Sequence, residues 1–355
     1  MVHIAQDLPA AAGEPYFWGS ATATIDWCEE NYVVCKYIAE FWNTVTNMAF
    51  FLLAIYGIWK VRSTKQENRF VLCYLGMLVV GLGSWFFHMT LQYQWQLADE
   101  LPMVYCTCIC IYCALRADVK TGTDIIVALA LFAYSAIVTL VYLQIRKPVF
   151  HQVAYALEVF LILIRSTMHQ MEMRKSNWRA YQDMQRLFWM GVCAFGGAFM
   201  LWNIDNIFCT GLRTIRNALP AAVGPFFQLH AYWHIGTALG CYLSIVYQQY
   251  LRLVKLGTVD EYRLHWLAMG IIPYLDKDIK QKASGNINNK LPKQRGVPKD
   301  ACADNYDACN VFHTWNTCKR YDQGLSWNWT DHWDYPTLVQ EKHWDKDPSY
   351  RDYLF

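Results

Sequence analysis

Charge is scarce in this sequence. Only 17% of its 355 residues are Asp, Glu, Lys or Arg, against 55% hydrophobic and 16% aromatic, a balance that excludes an ordinary soluble globule. The formal net charge of +2 offers no basic excess for a phosphate backbone, so nucleic acid is excluded as a partner. The first forty residues are polar and acidic, not a basic stretch followed by a short apolar one, so no cleavable signal peptide is expected. No inverted repeat or pair of broken apolar segments is detectable, which argues against a secondary transporter. The twelve-residue EF-hand loop is missing too.

Long apolar runs are present instead, and they are unevenly placed. They fill the chain from Phe41 to about Tyr250, whereas everything after about Thr258 is polar, charged and rich in Trp. The mean hydropathy of +0.08 therefore averages a membrane-like body and a hydrophilic tail. Seven runs, at 41–59, 70–87, 101–115, 125–143, 149–164, 187–208 and 226–250, reach or approach the ~20 residues needed to cross about 30 Å of hydrocarbon. The third and fifth are short. The expected fold is an all-α membrane protein, a seven-transmembrane helix bundle over 41–255. An N-terminal segment, 1–40, precedes it, and a hydrophilic, partly disordered extension, 256–355, follows. Lys60, Arg62, Lys65 and Arg69, then Arg116 and Lys120, then Arg174, Lys175, Arg179 and Arg186, then Arg252, Lys255 and Arg263 lie on one side of this arrangement. They outweigh Lys36, Arg146, Lys147, Arg213 and Arg216 on the other. Because cytosolic loops accumulate Lys and Arg, the N-terminus is expected in a lumen and the C-terminus in the cytosol.

That orientation gathers the chemically loaded residues at the lumenal end. The second run ends in "GSWFFHM", with Ser84 and His88 four apart on one helix face. "LADELPM" brings Asp99 and Glu100 just ahead of the third. The sixth ends in "WNIDNIFC" with Asp205 and Asn206, expected behind any metal ligands, and the seventh opens on "HAYWH", His230 and His234. A histidine pair at this spacing arises by chance often enough to prove little alone, and a single intramembrane His is by default a hydrogen-bonded helix contact. Three imidazoles from two helices are another matter, since they give zinc a three-ligand site with an open position for water, the catalytic arrangement. Bound Zn²⁺ brings the pKa of that water towards ~7. Asp99 would take the water's proton and Ser84 would donate to a developing oxyanion, parts that suit hydrolysis of an acyl bond. By default, Ser84 in its glycine-rich setting would simply pack helices.

Other residues stay open at this level. Asp26, Glu29, Glu30, Asn31 and Glu40 supply the hard oxygen ligands that suit Ca²⁺, yet composition alone favours a solvated acidic loop. "CTCICIYC", Cys106 to Cys113, falls inside an apolar run and reads as small apolar filling. Cys28 and Cys209 lie at the lumenal end, where a disulfide is permitted.

The blocks "WGSATATIDWCEENYVVCKYIAEFWNTVTN", "GSWFFHMTLQY", "LADELPMVY", "WNIDNIFC" and "QLHAYWHIGTALGCY" resemble the signature blocks of the alkaline ceramidases, in order and at matching spacing over about residues 14–255. These are seven-helix zinc amidases of endoplasmic reticulum and Golgi membranes, related to the adiponectin receptors. The resemblance implies hydrolysis of ceramide to a sphingoid base and a fatty acid. It implies zinc on His88, His230 and His234, with Ser84 at the oxyanion and Asp99 acting on the water. It further implies calcium on Asp26, the Trp27 backbone carbonyl, Glu29, Asn31 and Glu40, and a Cys28–Cys209 disulfide. A seven-helix ceramide receptor with little turnover is the alternative that the superfamily allows. The tail departs from the family pattern. Its "KQKASGNINNKLPKQRGVPKD" reads as a basic linker, Cys302, Cys309, His313 and Cys318 fit no zinc module, and the sequon at Asn328 would not be glycosylated in the cytosol.

Overall fold

A computed structural model describes residues 16–117 and 125–278. The tail from 279 onward, with its Cys/His group and Asn328, lies outside the described residues. Among these residues there are nine α-helices: α1 (Phe41–Thr46), α2 (Met48–Ser63), α3 (Asn68–Thr90), α4 (Tyr93–Leu115), α5 (Ile125–Ile145), α6 (Pro148–Ser176), α7 (Trp178–Ile207), α8 (Cys209–Ala218) and α9 (Leu229–Leu256). A two-stranded antiparallel hairpin of β1 (Tyr262–Leu267) and β2 (Ile272–Lys277) follows.

Six helical stretches are long and apolar enough to cross a membrane: Phe41–Ser63, which α1 and α2 share, and α3 to α7. The two runs that looked short in the sequence are full-length helices. α4 starts eight residues before its apolar run, through the polar "YQWQLADE", and α6 continues well past Ile164 into a charged end. Polar side chains on one helix face are tolerated because they point into the bundle, a pattern that a run-length count discards. α9 is 28 residues long and packs along α7. Its "GTALG" is a small-xxx-small stripe: a Cβ on Gly236 would come within 2.6 Å of the Ala198 Cβ, and one on Gly240 within 2.9 Å of the Phe195 Cβ. Backbones approach this closely only where glycine leaves room.

Local signals set the helix boundaries. Asn177 caps α7 by accepting from the Ala180 N–H at 3.0 Å. Gly257, at φ +70°, closes α9 in the left-handed conformation. Leu91 takes that conformation without being glycine, at φ +51°, and reverses the chain between α3 and α4 within two residues. Its carbonyl accepts from both Thr22 and Ala23, which pins the N-terminal segment onto this turn. The turn sets the end of α3 against the start of α4, so the Gly83–Ser84 turn of α3 meets the stretch that carries Asp99.

The hairpin departs from the expected hydrophilic tail. Tyr262, Leu264 and Trp266 alternate with the more exposed Arg263, His265 and Leu267, the period-two pattern of a strand with one covered face. β2 packs on α9 and α2. Tyr242 donates to the Pro273 carbonyl at 2.7 Å, Lys60 pairs with Asp276 at 2.9 Å, and the Arg186 guanidinium lies 3.8 Å from the centre of the Trp266 ring. The folded body thus runs on to about residue 277.

Candidate metal centre and catalytic site

His88, His230 and His234 are buried, and each offers a ligand nitrogen such that the three lie within 4.8 Å of one another. Among the described residues this is the one such group of His, Cys, Asp or Glu. One ligand comes from the last turn of α3 and two from the first turns of α9. The rings stand 4.8–5.2 Å apart, centre to centre, around a common point.

The partners behind the rings fix which nitrogens face inward. His88 Nδ1 donates to Glu40 Oε2 at 2.5 Å. His234 Nδ1 lies 3.0 Å from Thr46 Oγ1, whose own proton goes to the Trp42 carbonyl at 2.8 Å. The hydroxyl therefore accepts from His234. Both rings are held as Nδ1–H tautomers with Nε2 left for a metal, the usual support of a metal-binding imidazole. His230 lies under the Trp27 indole, with ring centres 4.1 Å apart. Its Nδ1 is buried without a hydrogen-bond partner. Three neutral imidazoles, two with their outer nitrogens engaged, form a donor set that fits a borderline-soft divalent ion such as zinc.

Ser84, one turn before His88, is the hydroxyl partner of the Asp99 carboxylate. Their meeting depends on Gly83, because a Cβ there would fall 1.9 Å from the Ala98 carbonyl oxygen. Asp205 is buried beside the Arg216 guanidinium and the backbone N–H groups of Leu229 and His230, so it stands at the start of the helix that carries two ligands. Asn206, expected beside it, instead donates to the Trp202 carbonyl of its own helix at 2.8 Å.

The acidic strip is folded around the start of α1. Glu29 accepts from the Trp42 and Asn43 N–H groups at 2.7 and 2.8 Å, and Glu40 accepts from the Asn43 side chain at 2.9 Å and from the Trp27 N–H at 3.4 Å. Asn31 donates to Asp26 at 3.5 Å, while its own Oδ1 is a buried acceptor without a donor. Burial, with Glu40 nearby, pushes the Glu29 carboxyl up to about 8. Burial and the Asp26 charge likewise push Glu40 well above the carboxylate range. Carboxylates raised in this way, beside an orphaned amide oxygen, suit a hard cation. The Trp27 carbonyl accepts from Arg213 Nη2 at 3.3 Å and has a second lone pair left for a ligand.

Cys28 and Cys209 are bridged, with Cα atoms 5.3 Å apart. Arg216 donates to the Cys28 carbonyl at 2.6 Å and pairs with Glu30 at 3.0 Å, reinforcing the same junction. Ser at either cysteine will lower thermal stability by about 2–5 kcal/mol, read as a fall in melting temperature that reductant reproduces in the parent protein. An unchanged melting curve would contradict a structural role for the bridge.

A profile of the family described as Ceramidase matches residues 19–276. Alkaline ceramidase 3 of Mus musculus is 43% identical over 241 residues, covering 68% of this chain and 88% of that protein. The chain belongs to the alkaline ceramidase family. Within it, alkaline ceramidase YPC1 of Saccharomyces cerevisiae is 33% identical over 270 residues, 71% of this chain and 84% of its own. The alkaline ceramidase of Arabidopsis thaliana is 28% identical over 265 residues, 75% and 96% respectively. The family match reaches Asp276 in β2, in keeping with the hairpin's packing on the bundle, and it spans all three histidines, Ser84 and Asp99.

Proposed function

We propose that the protein hydrolyses the amide bond of ceramides, releasing a sphingoid base and a free fatty acid. The observation that carries this reading is the buried three-histidine centre, with Ser84, the hydroxyl partner of Asp99, one helical turn before His88, in a chain whose relatives are alkaline ceramidases. Held by His88, His230 and His234, zinc would supply a Lewis acid that acidifies water and polarises the amide carbonyl. The rest falls to the chain itself. Asp99 takes a proton from the attacking water and passes it to the leaving nitrogen, so the C–N bond breaks with a neutral amine as leaving group. Ser84 donates to the oxygen that gains charge as water adds to the carbonyl. Glu40 and Thr46 keep the His88 and His234 rings in register throughout.

The fuller arrangement is part of the same reading. α9 serves as a seventh span, the N-terminus faces a lumen and the C-terminus the cytosol, and the home membrane is endoplasmic reticulum or Golgi. The charge bias of the loops supports that orientation, and so does a disulfide at the end opposite the basic loops, since disulfides persist in oxidising compartments. Calcium on Asp26, the Trp27 carbonyl, Glu29, Asn31 and Glu40 would neutralise the crowded carboxylates. Because Glu40 also holds His88, calcium there would brace a zinc ligand.

The test is release of fatty acid from ceramides of varied base and chain length by the purified, full-length protein. Turnover should disappear with a zinc chelator and return with added zinc. Protein that contains stoichiometric zinc yet is inert towards the whole panel would refute the substrate assignment.

A further inference from the structure

Asp99 lies where α4 cannot fix its own geometry. Pro102 is inside the helix and has no N–H for the Ala98 carbonyl four residues earlier, so the turn containing Asp99 lacks a rung. Its shape must be set from outside. On one side is Gly83, against the Ala98 carbonyl. On the other is a buried polar network that none of the chemistry above uses.

That network centres on Glu100, the neighbour of Asp99. Its carboxylate accepts a short hydrogen bond from Tyr142 of α5 and faces Gln96 Nε2 at 3.4 Å. The backbone carbonyl of Glu100 accepts from His151 Nε2 of α6 at 2.7 Å, so the side chain and main chain of one residue are gripped by two different helices. Gln96 in turn accepts from the Thr24 N–H at 2.8 Å, two residues before the acidic strip begins. Glu100, Gln96, Tyr142 and His151 are all buried. Polar groups brought into a bundle interior at such cost, and all satisfied around one weakened turn, mark a geometry that has to be held.

We propose that Glu100, gripped by Tyr142 and His151, is the positioning device for Asp99, and that Gln96 and Thr24 tie it to the N-terminal strip. The proposal rests on the reading of Asp99 as the proton-transfer group. The strip then reaches the site by two routes, through Glu40 to His88 and through Thr24, Gln96 and Glu100 to Asp99. Carboxylate placement matters to proton transfer at the scale of 1 Å, where a misplacement costs on the order of 10²-fold in rate.

The experiment is a kinetic double-mutant cycle in the full-length protein. Tyr142→Phe removes one oxygen, and His151→Asn serves as a second, independent lesion. Each should lower kcat about tenfold to a hundredfold with KM and bound zinc unchanged, and Glu100→Gln should retain far more activity than Glu100→Ala. The same Tyr142→Phe change introduced into Asp99→Asn, followed through its residual turnover, should cost less than about twofold, because a group acting through Asp99 has nothing left to position. Equal losses in both backgrounds, or full activity in Tyr142→Phe beside a crippled Asp99→Asn, would overturn the network's role alone. An Asp99→Asn protein with undiminished turnover would instead refute the role of Asp99, and this proposal with it.

Discussion

On the proposed reading, alanine at His88, His230 or His234 will abolish amide hydrolysis, lowering turnover by roughly 10³-fold or more, because a metal held there would supply several kcal/mol of transition-state stabilisation as a Lewis acid. Each variant should still fold. The bundle core of Tyr74, Met77, Leu243 and Tyr247 is buried without help from the three rings, and none of the rings bridges helices by a direct hydrogen bond to another ring. Metal content measured on purified protein should fall together with activity in all three variants. A His234→Ala protein that keeps both zinc and turnover would remove the site. The two α9 variants should also behave alike, since His230 and His234 stand one turn apart on one helix and close on the same point.

Glu40→Ala is the second large effect, although Glu40 need touch neither substrate nor zinc. Its side chain is fully buried and serves three donors at once: His88 Nδ1, the Asn43 amide and the Trp27 N–H. Removing it frees the His88 ring to rotate and leaves buried donors unpaired, each costing about 1–3 kcal/mol. Loss of such a partner behind a metal-binding imidazole typically weakens metal binding by about 10–100-fold. Zinc affinity, measured by competition with a calibrated chelator, should fall within that range and the melting temperature should fall with it. Glu40→Gln keeps an acceptor of the same shape for His88 and should lie between Glu40→Ala and the parent. Unchanged zinc affinity in Glu40→Ala would show that His88 is held by other means.

Much of the site can be read from the chain itself, because its signals are local. Ser84 and His88 share a four-residue spacing at the end of one apolar run, His230 and His234 the same spacing at the opening of another, and Cys28 and Cys209 fall at the expected lumenal end, their pairing being implied by the family resemblance. Glu40 was legible only as an oxygen ligand. Its hold on His88 spans 48 residues and appears only once the N-terminal segment folds back over the α3–α4 turn. Thr46 carries no mark in sequence, being one threonine in an apolar stretch that acquires its role through a residue 188 positions away. Tyr142 and His151 look like ordinary aromatic filling until α5 and α6 bring them to Glu100. The hairpin was hidden differently, since "YRLHWL" alternates as a strand does but its polar outward positions lower the hydropathy that a membrane reading follows. Run lengths misjudged α4 and α6 for the same reason, treating inward-facing polar residues as ends.

The Cys28–Cys209 bridge, with a sequence separation of 181, makes a covalent ring that starts within the acidic strip and closes at the first residue of α8. α9 is outside that ring, attached by a single strand of chain through α8. The histidine centre is divided across the boundary, His88 within the ring and His230 and His234 on the appended helix. An ion bound there would fasten the loose helix to the closed loop, like a clasp on a necklace. Cutting the backbone once between α5 and α6 would then leave two fragments that still travel together, with the metal centre intact.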